Sequence, residues 1–243
     1  MLAAINIKKK VQPIHLVLLP GLDGTGLLFR PFLETLPDNI KPIVVSYPLN
    51  KILGYDELLP IVLEHLPKAA PFVLLGESFS GPLALKVAAT GPQALTGLVL
   101  CASFVSCPFP FVPRCAKTLI YPFMFQGLKS LAKINAYKGS KLAIAIFNAV
   151  SQVQNQVLAH RVREIIQVDV SKELANCDLP VLYLQGTKDA LVPKGNLQRI
   201  LNKKPDVHYA RINSSHMLLQ TQPLQALEAL FAFINSCYAH LSV

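Results

Sequence analysis

Charged residues are scarce in this chain, and long uninterrupted apolar runs are missing. Asp, Glu, Lys and Arg together make up only 15% of the 243 residues, and hydrophobic residues make up 52%, which excludes a disordered chain. No apolar run reaches the roughly 18 residues that a membrane-spanning helix needs. The start, MLAAINIKKK, has its charges after its apolar residues and offers no cleavage site, so it does not predict a secretion signal. We therefore expect a cytoplasmic protein with a sizeable core.

Metal-ligand and nucleotide-binding patterns are also missing. The five cysteines are odd in number and lack the spacing of a metal site, which favours buried, reduced thiols. The glycine-rich turn at residues 21–26 contains neither Gly-x-Gly-x-x-Gly nor Gly-Lys-Ser/Thr, so it does not predict a nucleotide-binding loop. Neither a metal nor an organic cofactor is expected.

The net charge of +9 is concentrated in one segment. Residues 105–176 contain nine basic and three acidic side chains and so carry six of the nine net charges. Such a field would attract an acidic carrier protein or anionic lipid, although solvated surface lysines are the commoner cause. Nucleic-acid binding, which a pI of 9.4 invites, is not expected, because the aromatic residues of this segment lie among apolar residues rather than arginines.

Apolar runs alternate with helical patterns on both sides of that segment. This alternation predicts an α/β fold in which a mostly parallel central sheet is covered by helices on both faces. We expect residues 1–104 and 177–243 to form this core and residues 105–176 to be inserted as a helical lid, with helices near 115–134, 140–153 and 154–168. The predicted strands are residues 15–19, 42–47, 72–75, 95–102, 180–184 and 207–212.

The stretch FVLLGESFSGPL at residues 72–83 carries the strongest chemical signal. It predicts a buried strand, a tight turn around Ser78 and a helix that begins near Gly81. The small residues Gly76 and Ser80 let the strand and helix approach each other, and the strained turn pushes the Ser78 hydroxyl outward. The helix N-terminus adds backbone N–H groups and the positive end of a dipole. This pattern predicts a nucleophile, although Gly-x-Ser-x-small also occurs in ordinary loops.

A serine hydroxyl needs a base to take its proton and a third group to orient that base. Asp189 follows the strand predicted at 180–184, and His216 follows the last strand, so both are expected at the sheet edge where Ser78 lies. Their order along the chain is the one associated with this kind of turn. Taken singly, Asp189 could be a turn cap and His216 a structural histidine. The turn after the first strand is either an ordinary connection or one that presents the Leu22 N–H to Ser78.

The segments LLPGLDGTG, GESFSGPLAL, GTKDALVP and NSSHMLLQTQP together resemble the α/β-hydrolase family, across about residues 14–236 apart from the lid. Within that family the chain is similar to lidded bacterial carboxylesterases and lipases, and to the pimeloyl-carrier-protein methyl ester carboxylesterases. The resemblance implies an acyl-enzyme mechanism without a cofactor. It assigns the nucleophile to Ser78, the acid to Asp189, the base to His216, and the oxyanion hole to the backbone N–H groups of Leu22 and Phe79.

The sequence therefore predicts a serine hydrolase of carboxylic esters. Its substrate would be a small molecule or an ester held on an acidic acyl carrier protein that docks on the basic lid. Transfer of the acyl group to an alcohol and a non-catalytic ligand-binding scaffold stay open as alternatives. Some lid aromatics are candidates for an acyl pocket, with packing of the lid itself as the alternative: Phe111, Tyr121, Phe123 and Phe125.

Overall fold

The computed structural model describes residues 13–109 and 139–239. Six strands form one sheet in the order β2-β1-β3-β4-β5-β6, and each neighbouring pair runs parallel. The strands are β1 (Ile14–Leu19), β2 (Ile40–Val44), β3 (Phe72–Glu77), β4 (Leu95–Cys101), β5 (Val181–Gly186) and β6 (His208–Ile212).

Helices connect the strands and flank the sheet. A short 3-10 turn (Leu27–Phe29) leads into α1 (Arg30–Leu33), and two further helices precede β4: α2 (Tyr55–His65) and α3 (Ser80–Ala89). The later helices are α4 (Lys141–Ser151), α5 (Asn155–Gln167), α6 (Ser171–Ala175), α7 (Gly195–Lys203), α8 (Leu218–Thr221) and α9 (Pro223–Ala239).

Strand alternation builds a separate core on each face of the sheet. On β3, Phe72 and Leu74 pack into the core beneath α2, α3 and α7, whereas Val73 and Leu75 pack into the core beneath α1 and α9. All four side chains are fully buried. Successive side chains of a strand point to opposite faces, so a strand covered on both faces must be apolar throughout. The predicted parallel sheet with helices on both faces is confirmed.

The strand boundaries differ from those predicted by up to three residues, most clearly at β2 and β3. The prediction of β2 at 42–47 was wrong at both ends, because Pro42 lies inside the strand, opposite Leu16 of β1. Proline is tolerated there because β2 is at the edge of the sheet, where one side of the backbone needs no partner. β3 continues past Leu75 because Gly76 and Glu77 still pair with β4. The short helices α6 and α8 had no clear sequence signal.

The strand order creates a crevice above two of these strands. β1 lies between β2 and β3, so the chain leaves β1 toward one side of the sheet and later enters β3 on the other side. In open parallel sheets, ligands bind where connections diverge in this way, beyond the carboxyl ends of the strands. The turn after β1 (residues 20–25, the Leu22 turn) and the turn after β3 (residues 76–80, the Ser78 turn) border this crevice.

The two ends of the predicted lid meet beside the core. Ser106 and Asp169 form an antiparallel bridge, and the Val170 N–H donates to the Val105 carbonyl at 2.8 Å. Helices α4 and α5 agree with those predicted at 140–153 and 154–168. The division into core and lid stays a prediction, since residues 110–138 lie outside the described ones. In the described part of the chain, no helix is both long and apolar enough to cross a membrane.

Candidate active site

Ser78 lies in a strained turn between β3 and α3. Its φ angle is +50°, in the left-handed region that a residue with a side chain rarely adopts. Hydrogen bonds hold the backbone of Ser78 at both its N–H and its carbonyl group. The Ser78 N–H donates to the Cys101 carbonyl at 2.8 Å, and the Ser103 hydroxyl donates to the Ser78 carbonyl at 2.6 Å. The predicted strand, turn and helix are therefore present, and the strain is at the serine itself.

The small residues on either side of Ser78 have separate structural reasons. A Cβ on Gly76 would overlap the carbonyl of Ser80, so the strand can approach the helix only with glycine at this position. Ser80 is fully buried, and its hydroxyl donates to the Pro20 carbonyl. Since that bond uses the only hydroxyl proton, the Tyr47 hydroxyl must donate to Ser80 Oγ, at 2.6 Å. Ser80 thus ties the Ser78 turn to the Leu22 turn.

Ser78, His216 and Asp189 form one continuous series of hydrogen bonds. His216 Nε2 lies 2.8 Å from Ser78 Oγ, and His216 Nδ1 lies 2.8 Å from Asp189 Oδ2. An ionised carboxylate can only accept, so Nδ1 carries the proton and Nε2 is free to accept from the serine. The side chains of His216 and Asp189 are 13% and 2% exposed. The three predicted residues are therefore brought together in a geometry suited to moving a proton off Ser78.

Asp189 is held by its own turn (residues 186–192, the Asp189 turn). Its Oδ1 accepts from the N–H groups of Leu191 and Val192, both at 2.8 Å, which leaves Oδ2 for the histidine. These two bonds fix the direction of the carboxylate. The sequence had offered a turn cap as the alternative role of Asp189, and the carboxylate makes both kinds of contact.

The turn that carries His216 (residues 213–216, the His216 turn) is joined to the Asp189 turn through backbone contacts. The Thr187 N–H donates to the Ile212 carbonyl at 2.8 Å, and the Lys188 N–H donates to the Ser214 carbonyl at 2.9 Å. A Cβ on Gly186 would lie 2.5 Å from the Ser215 carbonyl oxygen, so the approach requires glycine. The two turns consequently form one unit at the ends of β5 and β6.

The two predicted oxyanion donors, the N–H groups of Leu22 and Phe79, lie in the two turns that Ser80 joins. Among the hydrogen bonds between described residues, none uses the backbone N–H of Leu22 or of Phe79. A Cβ on Gly21 would lie 3.9 Å from Ser78 Cβ, so the Leu22 turn runs beside the serine. Phe79 is held by Tyr55, whose hydroxyl donates to the Phe79 carbonyl at 2.9 Å. The rings of Tyr55 and Phe79 also stack, with their centroids 4.6 Å apart. Two N–H groups thus stay available near Ser78.

Sequence reasoning missed a buried acid next to the serine. Glu77 is 5% exposed, and burial raises the pKa of its carboxyl to about 7. The neighbouring Asp23 carboxylate also raises this pKa, whereas the hydrogen bond from Gln220 Nε2, at 2.9 Å, and the nearby His216 lower it. Its place directly before Ser78 in the motif was the signal that could have found it, since residues of that turn are enclosed.

Sequence reasoning also missed a buried arginine in the predicted lid. Arg161 was counted with the basic side chains of a docking surface, yet it is 1% exposed. The signal was its spacing along α5, because Val157, Leu158, Val162 and Ile166 place residue 161 on the apolar face. Five other basic residues of that count lie outside the described part of the chain: Arg114, Lys117, Lys129, Lys133 and Lys138. The acyl-pocket candidates Phe111, Tyr121, Phe123 and Phe125 also lie outside it.

Residues 13–109 and 139–239 contain no group of three or more His, Cys, Asp or Glu side chains that could hold a metal ion. Cys101, Cys177 and Cys237 are buried free thiols, and Cys107 is a half-buried one. Burial raises the pKa of the Cys101 thiol, which keeps it protonated and unreactive.

Comparison with known proteins identifies a hydrolase family and a fold. The family Hydrolase_4, described as serine aminopeptidase, S33, matches residues 55–220. A pimeloyl-[acyl-carrier protein] methyl ester esterase from Aliivibrio fischeri is 26% identical over 198 residues, which cover 73% of this chain and 76% of that protein. A hydrolase structure from Pseudomonas aeruginosa has a TM-score of 0.75 at 16% identity, covering 92% of this chain and 90% of the other. An enol-lactonase structure from Burkholderia xenovorans has a TM-score of 0.73 at 17% identity, covering 92% of each chain. These structures share the α/β-hydrolase fold.

Proposed function

Because the chain belongs to the Hydrolase_4 family of α/β-hydrolases, we propose that it cleaves carboxylic esters through an acyl-enzyme formed on Ser78. The observation that supports this most is the hydrogen-bonded series from Ser78 through His216 to Asp189, with both distances at 2.8 Å. A hydroxyl, a neutral imidazole and a buried carboxylate in this order are the requirements for an activated serine.

Acylation begins when His216 Nε2 takes the proton of Ser78 Oγ as that oxygen attacks the ester carbonyl. The carbonyl oxygen becomes an oxyanion that accepts from the N–H groups of Leu22 and Phe79. Removing one such donor typically costs about 10²–10³-fold in rate. His216 then gives the proton to the departing alkoxide, so an alcohol leaves and an acyl-serine ester stays.

Deacylation repeats these steps with water. His216 takes a proton from water as the oxygen attacks the acyl-serine carbonyl, and returns that proton to Ser78 as the carboxylic acid leaves. Throughout, Asp189 accepts from His216 Nδ1 and stabilises the imidazolium that forms transiently. The N–H groups of Leu191 and Val192 keep the carboxylate in that direction. No step requires a group beyond these side chains, the backbone and water.

For the substrate, we propose a methyl ester of an acyl group held on an acyl carrier protein as the finer assignment. It rests on the similarity to the Aliivibrio fischeri pimeloyl-[acyl-carrier protein] methyl ester esterase, at 26% identity. The net positive charge of residues 105–176 would suit an acidic carrier, although Arg161 is buried and contributes no surface for docking. A free small-molecule ester is the alternative, and the two differ in whether the carrier is needed for efficient turnover.

The test is hydrolysis of nitrophenyl esters of graded acyl length, and of a carrier-bound methyl ester, by the wild type and by Ser78→Ala. Ser236→Ala is the matched control, because its hydroxyl donates to the Phe233 carbonyl within its own helix. We expect the wild type and the control to turn over at least one of these esters, and Ser78→Ala to lose at least about 10⁴-fold. Equal activity of Ser78→Ala and wild type would contradict the proposal. A strong preference for the carrier-bound ester would support the finer assignment.

A further inference from the structure

Arg161 connects helix α5 to the turn that carries one of the proposed oxyanion donors. Its Nη1 donates to the carbonyls of Leu22 at 2.9 Å and Asp23 at 3.0 Å, and its Nη2 donates to the Pro48 carbonyl at 3.0 Å. The guanidinium therefore joins the turn after β1 to the turn after β2. These contacts span more than 100 residues of sequence, with separations of 139, 138 and 113.

The surroundings of this guanidinium are shaped to receive it. Its Cζ lies 5.5 Å from the centroid of the Tyr47 ring, within the range of a cation–π contact. Gly24, at φ +70°, leaves the space that a side chain would fill, since a Cβ there would lie 2.5 Å from Nη1. A second contact fixes the same helix, because Glu164 accepts from the Tyr55 N–H at 3.0 Å.

Removing a cation from water into such a buried space costs free energy. Arg161 is 1% exposed, and none of the ion pairs found in the described part of the chain includes it. Well-packed apolar residues usually stabilise a fold as much as a buried charge does. The arginine instead supplies a rigid fork of donors that can orient several carbonyls at once. Two of its three acceptors, the carbonyls of Leu22 and Asp23, lie on the Leu22 turn beside Ser78. This placement indicates that Arg161 orients that turn as well as stabilising the fold.

We propose that Arg161 is a positioning residue for the oxyanion hole. By holding the carbonyls of Leu22 and Asp23, it fixes the orientation of the Leu22 turn and so the direction of the Leu22 N–H. This inference rests on the proposed function, in which that N–H stabilises the oxyanion. It acts through the backbone and touches neither substrate nor Ser78.

The experiment compares Arg161→Met and Arg161→Lys with the matched control Arg199→Met. Arg199 also donates to backbone carbonyls, those of Cys107 at 2.8 Å and Pro108 at 2.9 Å, away from the Leu22 turn. Five quantities are measured: kcat and KM for a nitrophenyl ester, the Ki of a trifluoromethyl ketone whose adduct with Ser78 is an oxyanion, the apparent pKa of kcat/KM, and Tm. The labelling rate of Ser78 by a fluorophosphonate is measured as well.

We expect Arg161→Met to lower kcat by about 10²-fold and to weaken trifluoromethyl ketone binding by a similar factor, since both depend on the oxyanion donors. KM should change by less than about threefold, and the apparent pKa of kcat/KM should not move, because His216 is untouched. Arg161→Lys keeps a cation with three N–H donors but loses the planar fork, so its kcat should lie about tenfold below that of the wild type. Arg199→Met should stay within about threefold of the wild type in kcat.

The inference is overturned if Arg161→Met loses no more kcat than Arg199→Met, or if its trifluoromethyl ketone affinity is unchanged. If Arg161→Met does not fold, Arg161→Lys is the test. A lysine with a merely structural role would leave the ratio of trifluoromethyl ketone affinity to KM as in the wild type, and that result would overturn the inference. Fluorophosphonate labelling separates this inference from the proposed function. If the wild type is labelled but hydrolyses none of the esters, slower labelling of the Arg161 variants than of the wild type would still support the positioning role. If Ser78 of the wild type is not labelled at all, both the positioning role and the proposed function are overturned.

Discussion

The Ser78 turn and the pair formed by the Asp189 and His216 turns hold their side chains by different physical means. In the Ser78 turn the backbone is strained at φ +50°, and Gly76 is packed against the Ser80 carbonyl. In the described residues of the other two turns, φ is positive nowhere. The Asp189 carboxylate accepts hydrogen bonds from two backbone N–H groups, and backbone hydrogen bonds join the Asp189 turn to the His216 turn.

This difference predicts which kind of substitution should disturb the Ser78 turn and which should disturb the Asp189 and His216 turns. The position of Ser78 depends on volume and backbone angle, so adding a methyl group nearby should move it. The positions of Asp189 and His216 depend on the close approach at Gly186 and also on which atoms donate and accept. An isosteric change of chemistry should therefore disable them without altering the fold. Substitutions chosen along these lines test the comparison directly.

The largest effect is expected for Asp189→Asn. The amide oxygen can still accept from the Leu191 and Val192 N–H groups, so the turn should keep its shape. The amide nitrogen would then face His216 Nδ1 and force the proton onto Nε2, which could no longer accept from Ser78. We expect kcat/KM to fall by about 10⁴-fold while Tm changes little.

The exposed Asp38→Asn is the control for this change, and it should leave kcat/KM and Tm close to the wild type. If Asp189→Asn retained more than about a tenth of the wild-type kcat/KM, orientation of His216 by the carboxylate would be wrong.

A smaller effect is expected for Gly76→Ala, compared with Gly186→Ala. Both added methyl groups would meet a backbone carbonyl, that of Ser80 or that of Ser215, and overpacking of this kind costs about 1–3 kcal/mol of unfolding free energy. Only Gly76→Ala should displace Ser78, and a shift of about 1 Å costs about 10²-fold in rate. Urea denaturation measures the loss of stability, and the rate constant of the acylation burst measures the displacement of Ser78. Equal losses of burst rate in both variants would erase the proposed difference between the turns.

The smallest effect on rate is expected for Glu77→Gln, whose main effect is on stability. Burial raises the pKa of Glu77 from 4.5 in the unfolded chain to about 7, so the folded protein binds the extra proton between these values. The associated stabilisation is complete below pH 4.5 and is lost as the pH rises through 7, an effect of at most about 3 kcal/mol. Glu77→Gln stays neutral, so its free energy of unfolding relative to the wild type should rise between pH 5 and pH 8.

Urea denaturation at both pH values measures this rise, and the exposed Glu34→Gln is the control, with an expected change below about 0.5 kcal/mol. A difference between Glu77→Gln and wild type that does not depend on pH would show that the carboxyl is not held neutral by its surroundings.

The sequence predicted the parts of the molecule that follow from local patterns. Continuous apolar runs such as residues 15–19 and 72–75 predicted buried strands, because a parallel sheet covered on both faces allows few polar residues. The convergence of Ser78, Asp189 and His216 followed from the same topology, since the carboxyl ends of parallel strands meet at one edge.

Contacts between distant segments could not be predicted in this way. No local pattern indicates that Arg161 reaches the carbonyls of Leu22 and Pro48, or that Ser80 binds both Pro20 and Tyr47. The edge strand β2 was misplaced because Pro42 was taken as its first residue, whereas an edge position tolerates proline inside the strand. The sequence identifies residue types at strand ends, and the packing between turns decides what holds them.

The most direct test of the central claim is to trap the acyl-enzyme. A slowly deacylated nitrophenyl ester is mixed with the protein, the reaction is quenched in acid, and peptides are mapped by fragmentation mass spectrometry. The account predicts one acyl group per chain on Ser78, none on the fully buried Ser80 two residues away, and none in Ser78→Ala. Acylation at another residue, or steady ester hydrolysis by Ser78→Ala without any acylated serine, would contradict it.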